Sequence, residues 1–273
     1  MSKDLYEEIV ELRSKGYRAA LATVITHKGA TPRKDSAKML VYEDGRQLGT
    51  IGGGSMEAEV CREAKQIIET GKPDLLIFDL TNIDPEESAL VCGGSMEVYV
   101  EPILPEPILF VFGAGHVSKA VAELAKSIGF KIAVIDDRAK YANPERFPNA
   151  DFIYIDSWDE VVKKLPVNNS SCIFIATRGH QFDLICLRFA VQSPAKYIGM
   201  LGSRKKAANL FGLLEKEGID PSKFARVSVP TGIDIGSETP KEIAVSIAAE
   251  LIAVRKNRDM RLIKEALHRA NSQ

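Results

Sequence analysis

The stretch Ile108-Leu109-Phe110-Val111-Phe112-Gly113-Ala114-Gly115-His116-Val117-Ser118 decides how the chain is read. Its opening apolar run is what a parallel strand buried on both faces requires. Residues 116–128 then keep helical spacing and stop at Gly129, a residue suited to leaving a helix in the left-handed region. Between strand and helix stands Gly-Ala-Gly. The first glycine permits a tight turn, and the second lets a pyrophosphate approach the N–H groups at the helix N-terminus. The third position is Ser118, so helix and strand are expected to pack slightly less closely than glycine would allow. Gly113 and Gly115 are phosphate candidates, and His116 either joins them or serves as a cap.

About twenty residues further on, at the end of the second strand, comes Asp136-Asp137-Arg138. A carboxylate there accepts ribose hydroxyls and repels a 2′-phosphate. Arg138 softens that repulsion, so the reading leans to NAD over NADP. The bland alternative is that the glycines only turn the chain and Asp136 only caps a strand end.

Downstream, the pattern predicts strands over 132–135, 152–155, 172–176 and 197–200, with helices over 158–165, 181–191 and 204–217 between them. That order implies a Rossmann-type parallel sheet with helices on both faces. Ligands bind at the C-terminal edge of such a sheet, which is where Thr177-Arg178-Gly179-His180, Asp183 and Gly199-Met200-Leu201-Gly202-Ser203-Arg204 fall. Arg178, His180 and Arg204 would bring positive charge to an anionic ligand. Thr239-Pro240-Lys241-Glu242 has the signature of a capped helix start.

Upstream, the prolines of Leu104-Pro105-Glu106-Pro107 mark a boundary between a smaller α+β domain, 1–104, and the Rossmann-type domain, 105–273. The first domain reads as a helix over 3–15, strands over 19–26, 38–41 and 47–51, a helix over 56–69, and strands over 75–80 and 97–103. It holds two similar clusters, Gly52-Gly53-Gly54-Ser55-Met56-Glu57 and Cys92-Gly93-Gly94-Ser95-Met96-Glu97. Successive glycines let N–H groups converge into an anion-binding nest, and equally they serve as turns around a bulged sheet. Beside Gly93 and Gly94 the Cys92 thiol is sterically accessible, though a single cysteine is more often a small buried hydrophobe. Cys61, Cys172 and Cys186 fall inside the expected elements and are read as core.

With 27% charged and 45% hydrophobic residues the chain is globular in composition, and its net charge of -1 leaves no electrostatic footprint for nucleic acid. No apolar run spans a bilayer and no secretory h-region opens the chain, so neither a membrane nor an export route is expected. The four cysteines include no CxxC pair, which argues against a structural zinc or a disulfide scaffold. A reduced, cytoplasmic protein is the expectation.

Taken together, these segments resemble the xanthine dehydrogenase accessory factor family, XdhC/CoxI. The likeness runs through Gly29-Ala30-Thr31-Pro32-Arg33, Gly49-Thr50-Ile51-Gly52-Gly53-Gly54, the Cys92 cluster, the Gly113 turn, Asp136-Asp137-Arg138, Thr177-Arg178-Gly179-His180, the segment from Tyr197 to Arg204, and the segment from Ile233 to Pro240. The resemblance implies an accessory protein that binds the molybdenum cofactor (molybdopterin), assists its sulfuration with a cysteine desulfurase, and delivers it to a xanthine dehydrogenase-type molybdenum hydroxylase. NAD or another nucleotide would sit at Gly113, Gly115, His116, Asp136 and Asp137. Gly52, Gly53, Gly54, Ser55, Gly93 and Gly94 would line the pterin-phosphate site, with Cys92 toward the metal or its sulfur. A homodimer is expected. One departure stands out: the family has a cysteine where this chain has Ser55, and a hydroxyl is a poor soft-metal ligand. Two other readings stay open. One is an NAD-dependent oxidoreductase using His180 as proton donor or acceptor; the other is a nucleotide-sensing partner protein.

Overall fold

A computed structural model describes residues 4–28, 36–79 and 95–258. The chain divides into two compact units, Met1–Pro105 and Glu106–Gln273. The first carries α1 (Leu5–Lys15), β1 (Ala19–Lys28), β2 (Lys38–Tyr42), β3 (Gln47–Gly49), α2 (Gly54–Thr70), β4 (Asp74–Asp79) and β5 (Ser95–Ile103). Its strands form an antiparallel sheet in the order β3-β2-β1-β5-β4. Helix α2 packs Met56, Val60, Ala64, Ile67 and Ile68 onto one face of it, against Ala20, Ala22, Met39, Val41, Val98 and Val100. Helix α1, capped by the Asp4 carboxylate and ended by Gly16, lays Leu5, Ile9 and Leu12 on part of the other face.

The second unit begins with β6 (Ile108–Phe112) and α3 (His116–Ser127), followed by β7 (Lys131–Ile135) and β8 (Phe152–Tyr154). Then come α4 (Trp158–Val161), β9 (Cys172–Ile175), α5 (His180–Gln192), β10 (Tyr197–Met200), α6 (Arg204–Lys216), β11 (Val227–Ser228) and α7 (Pro240–Arg255). All its strands are parallel, in the order β11-β10-β9-β6-β7-β8. The chain therefore winds outward from β6 to β8, returns to the other side of β6, and winds outward again from β9. That reversal opens a crevice beyond the C-terminal ends of β6 and β9.

Both faces of this sheet are covered, which is why its strands read as unbroken apolar runs. Phe110, Phe112, Ile173 and Ile175 point toward α4, α5 and α6, while Leu109, Val111, Val134 and Phe174 point toward α3 and α7. Each such fully buried side chain contributes roughly 1.5–3 kcal/mol. The serine expected to loosen the helix–strand contact, Ser118, is fully buried, and its hydroxyl finds no hydrogen-bond partner among the described residues. The expected helix over 158–165 is shorter than its spacing suggests. Its α-turn gives way to a 3-10 turn at Val162–Lys164, because Pro166 drives Leu165 to an extended conformation. Spacing alone also missed β11 and the 3-10 helix Pro221–Arg226 before it. Among the described residues no helix is long and apolar enough to cross a membrane.

Candidate functional site

The glycine turn after β6 is built tightly on one side and left open on the other. Gly113 adopts φ +99°, and a Cβ there would lie 2.2 Å from the carbonyl oxygen of Ala176, the residue after β9. Its N–H donates to Ile135 O at 2.8 Å, and Ala176 N donates to Phe112 O at 2.8 Å, so the turn is tied to both neighbouring strands. Gly115 is the N-cap of α3 in an extended conformation, and apart from the adjoining backbone nothing lies within 4 Å of where its Cβ would be. The protein's own packing therefore does not require glycine at 115. A ligand resting against that backbone would.

The helix starts along this edge of the sheet are basic. His116, His180 and Arg204 are the first residues of α3, α5 and α6, and all three are exposed. Neither α3 nor α5 has a side-chain cap, and α3 and α6 carry no acid in the first turn. By contrast Asp4 caps α1, Ser203 caps α6, and Thr239 with Glu242 forms a reciprocal capping box on α7. An anion bound at that edge would meet the helix N–H groups, the Arg204 guanidinium and the ring N–H donors of His116 and His180.

The two acids after β7 play different parts. Asp136 is 1% exposed and takes four donors on its two oxygens. They are Ala114 N at 2.9 Å, Arg138 N at 3.1 Å, Arg138 Nε at 2.8 Å and Arg138 Nη2 at 3.0 Å. A carboxylate accommodates about four hydrogen bonds, so Asp136 has no capacity left for a ribose. Burial works against its ionisation, but the Arg138 guanidinium and the Ala114 amide outweigh it and hold the carboxyl below the usual carboxylate range. Asp136 thus holds the glycine turn in place, with its oxygens engaged inside the protein where the sequence reading has them meet a nucleotide. Asp137 is the acid on the crevice side, and it lies in a fork from Arg178, with Nη1 and Nη2 each 2.7 Å from its oxygens.

Beyond β9, Asp183 is fully buried rather than paired with His180. It accepts from Thr177 Oγ1 at 2.7 Å and faces Lys206 Nζ at 2.5 Å. The His180–Asp183 spacing therefore forms no acid–base dyad; it ties the loop after β9 to α6.

The N-terminal glycine cluster forms a turn that already holds an anion of the protein's own. Gly52, Gly53 and Gly54 all have positive φ, and the resulting turn does gather N–H groups, but the anion it gathers them around is Glu57. Glu57 Oε1 accepts from Thr50 Oγ1 at 2.5 Å, Ile51 N at 3.0 Å and Gly53 N at 2.9 Å. The nest proposed for a pterin phosphate is filled from within. Partial burial opposes the charge on Glu57, and these hydrogen bonds override it to keep the carboxyl below its ordinary value. A folded-state value below the unfolded one means that the stabilisation is present above pH about 4 and is lost as pH falls through the lowered value. Glu57→Gln is expected to cost about 1 kcal/mol near neutrality, discounted for solvent access, and to flatten the acid side of the stability profile. Urea midpoints of both proteins across that pH range provide the check. Equal acid sensitivity would show that Glu57 does not hold the turn.

Family models match at two places: one described as the XdhC Rossmann domain over residues 109–251, the other as the XdhC and CoxI family over residues 12–79. The chain belongs to the XdhC and CoxI family. Its relatives include the uncharacterized protein YqeB of Escherichia coli K12, 33% identical over 271 residues, 99% of this chain and 50% of that protein. This chain thus spans about half the length of that relative. A probable xanthine dehydrogenase subunit from Bacillus subtilis 168 is 24% identical over 87% of this chain and 93% of its own. The molybdenum cofactor insertion chaperone PaoD of Escherichia coli K12 is 21% identical over 92% and 87%. A crystal structure described as a xanthine dehydrogenase from Bacillus halodurans shares the fold with TM-score 0.52 at 22% identity, covering 93% of this chain and 96% of that one.

In this XdhC and CoxI chain, Ser55 is exposed on the first turn of α2, at the position where the family resemblance expects cysteine. Cys92, Gly93 and Gly94 lie outside the described residues. Cys172 and Cys186 are buried, and burial pushes the Cys172 thiol up to about 12 and that of Cys186 well above its ordinary value, which makes both unreactive. Cys61 is half-buried and packs against the core of the first unit. Among the described residues no group of His, Cys, Asp and Glu is placed to hold a metal ion. Sequence reasoning missed Glu57 and Lys206 as parts of these arrangements. Only Glu57 left a signal, four residues after Gly53 on the helix that the turn opens.

Proposed function

We propose that the chain is an accessory protein of molybdenum hydroxylase maturation whose Rossmann crevice seats the phosphate end of a nucleotide or of a nucleotide-bearing form of the molybdenum cofactor. The observation that carries this reading is the backbone at Gly115, where the space that a Cβ would enter is open, at the head of a helix with no side-chain cap. Arg204 supplies positive charge around that seat, His116 and His180 supply imidazole N–H donors, and their helices supply backbone N–H groups. The relatives named for xanthine dehydrogenase and for molybdenum cofactor insertion support the same assignment.

The residues fit a phosphate. When bound, the cofactor supplies the oxo-metal centre that a hydroxylase requires, and the protein's task is to hold and shield it. For sulfur handling we assign Cys92, as the thiol beside a glycine pair, with sulfuration by a cysteine desulfurase upstream and a xanthine dehydrogenase-type hydroxylase downstream. A homodimer fits the same scheme. The oxidoreductase alternative is the weaker one, because Asp183 is committed to Thr177 and Lys206 and gives His180 no acid partner.

The test is co-production with a xanthine dehydrogenase-type hydroxylase, alongside native mass spectrometry of the purified chain. The reading predicts a retained pterin-phosphate mass, two copies of the chain per particle, and lower hydroxylase activation by Cys92→Ser at unchanged melting temperature. Full activation by that variant would remove Cys92 from the scheme. Hydroxylase activity independent of the chain would remove the function.

A further inference from the structure

Asp137 follows β7 and Arg178 lies in the loop after β9, and β6 runs between those two strands in the sheet. Neighbouring strands are about 4.8 Å apart, so a pair joining the two loops crosses roughly 10 Å, over the end of β6 where the glycine turn begins. The Arg178 fork on Asp137 is that crossing, between residues 41 apart in sequence. The guanidinium also rests on the Phe182 ring, 4.3 Å from its centroid. With Asp136 saturated by Arg138 and Ala114, Asp137 is the acid available to ribose hydroxyls, and both of its oxygens are held by Arg178. The backbone at Gly115 has no such cover. One half of a nucleotide site is open while the other is barred.

Resting on the nucleotide reading above, we infer that Arg178 is a selectivity residue that couples the two halves, so that the crevice takes nucleoside phosphates and rejects nucleosides. A phosphate settling at Gly115 and His116 offers the guanidinium the same two-pronged geometry that the carboxylate gives it. Arg178 moves to the phosphate, and Asp137 is released to accept the ribose hydroxyls. A nucleoside brings no phosphate and meets an occupied acid. The pair sits at the surface, with side-chain exposures of 37% and 21%, where an ion pair is readily exchanged. Arg138, which lies 3.7 Å from Asp137, stays on Asp136 throughout, so the turn itself does not move.

Calorimetric titration of the full chain with ADP and with adenosine tests this, comparing the wild type with Arg178→Ala and Arg178→Lys. The wild type is expected to bind ADP at least about a hundredfold more tightly than adenosine. In Arg178→Ala, ADP should weaken about tenfold and adenosine should strengthen about tenfold, collapsing the discrimination. Arg178→Lys keeps the charge without the fork and should fall between the two. Adenosine binding no better to Arg178→Ala than to the wild type would overturn the barred acid, and ADP binding unweakened in that variant would overturn the role at the phosphate. Absence of ADP binding by every protein would instead sink the nucleotide reading itself, and the coupling with it.

Discussion

Gly113→Ala is expected to be the most damaging single-methyl change in the Rossmann unit. The added Cβ would lie 2.2 Å from the Ala176 carbonyl oxygen and 2.8 Å from its carbon, both of them backbone atoms that β9 holds in the sheet. Residue 113 also sits at φ +99°, outside the region that L side chains occupy comfortably. Neither neighbour can yield cheaply, since Gly113 N and Ala176 N are themselves bonded across the strands. The backbone term and the clash together are expected to cost about 3–5 kcal/mol. Thermal or urea unfolding reads this directly. A variant within about 2 °C of the wild type would mean that the two loops are not in contact across the crevice.

Asp136→Ala should act on stability in the same way, and on ligand binding only through it. The substitution strands Ala114 N–H and leaves the Arg138 guanidinium without the carboxylate that it forks. Removing one partner of a buried, hydrogen-bonded charge pair costs about 3 kcal/mol, which for a unit of this size lowers Tm by about 6–12 °C. Asp137→Asn, at the more exposed neighbour, should leave Tm nearly unchanged. The contrast separates the acid that builds the turn from the acid that faces the crevice. Equal Tm losses in the two variants would contradict the division.

That division shows what a sequence can and cannot reveal. The strand, the turn and the helix from Ile108 to Ser127 follow from local chemistry: apolar residues that need two covered faces, a glycine that only a left-handed turn explains, and helical spacing beyond it. The basic residues at the helix starts were legible for the same reason, because strand ends fix where loops must lie. The roles of Asp136 and Asp137 were not legible, because adjacent residues at a strand end point to opposite sides and only the packed fold decides which one meets Arg138. The Gly52–Gly53–Gly54 turn was half legible in a related way. Its geometry is that of a nest, but the occupant, Glu57, sits on the helix that follows, and a local motif gives no sign that its ligand is internal. Pro166 shows the reverse case, a strong local signal ending α4 where apolar spacing alone runs on.

The most direct test of the whole account is ADP titration of Gly115→Ala against the wild type, with melting curves of both. The extended backbone at 115 tolerates a side chain and no neighbouring atom obstructs one, so Tm should stay within about 2 °C. The new methyl group occupies the space where a phosphate would approach the helix amides, so ADP affinity should fall at least about tenfold. Undiminished ADP binding by a stable Gly115→Ala protein would contradict the claim that this backbone is the phosphate seat.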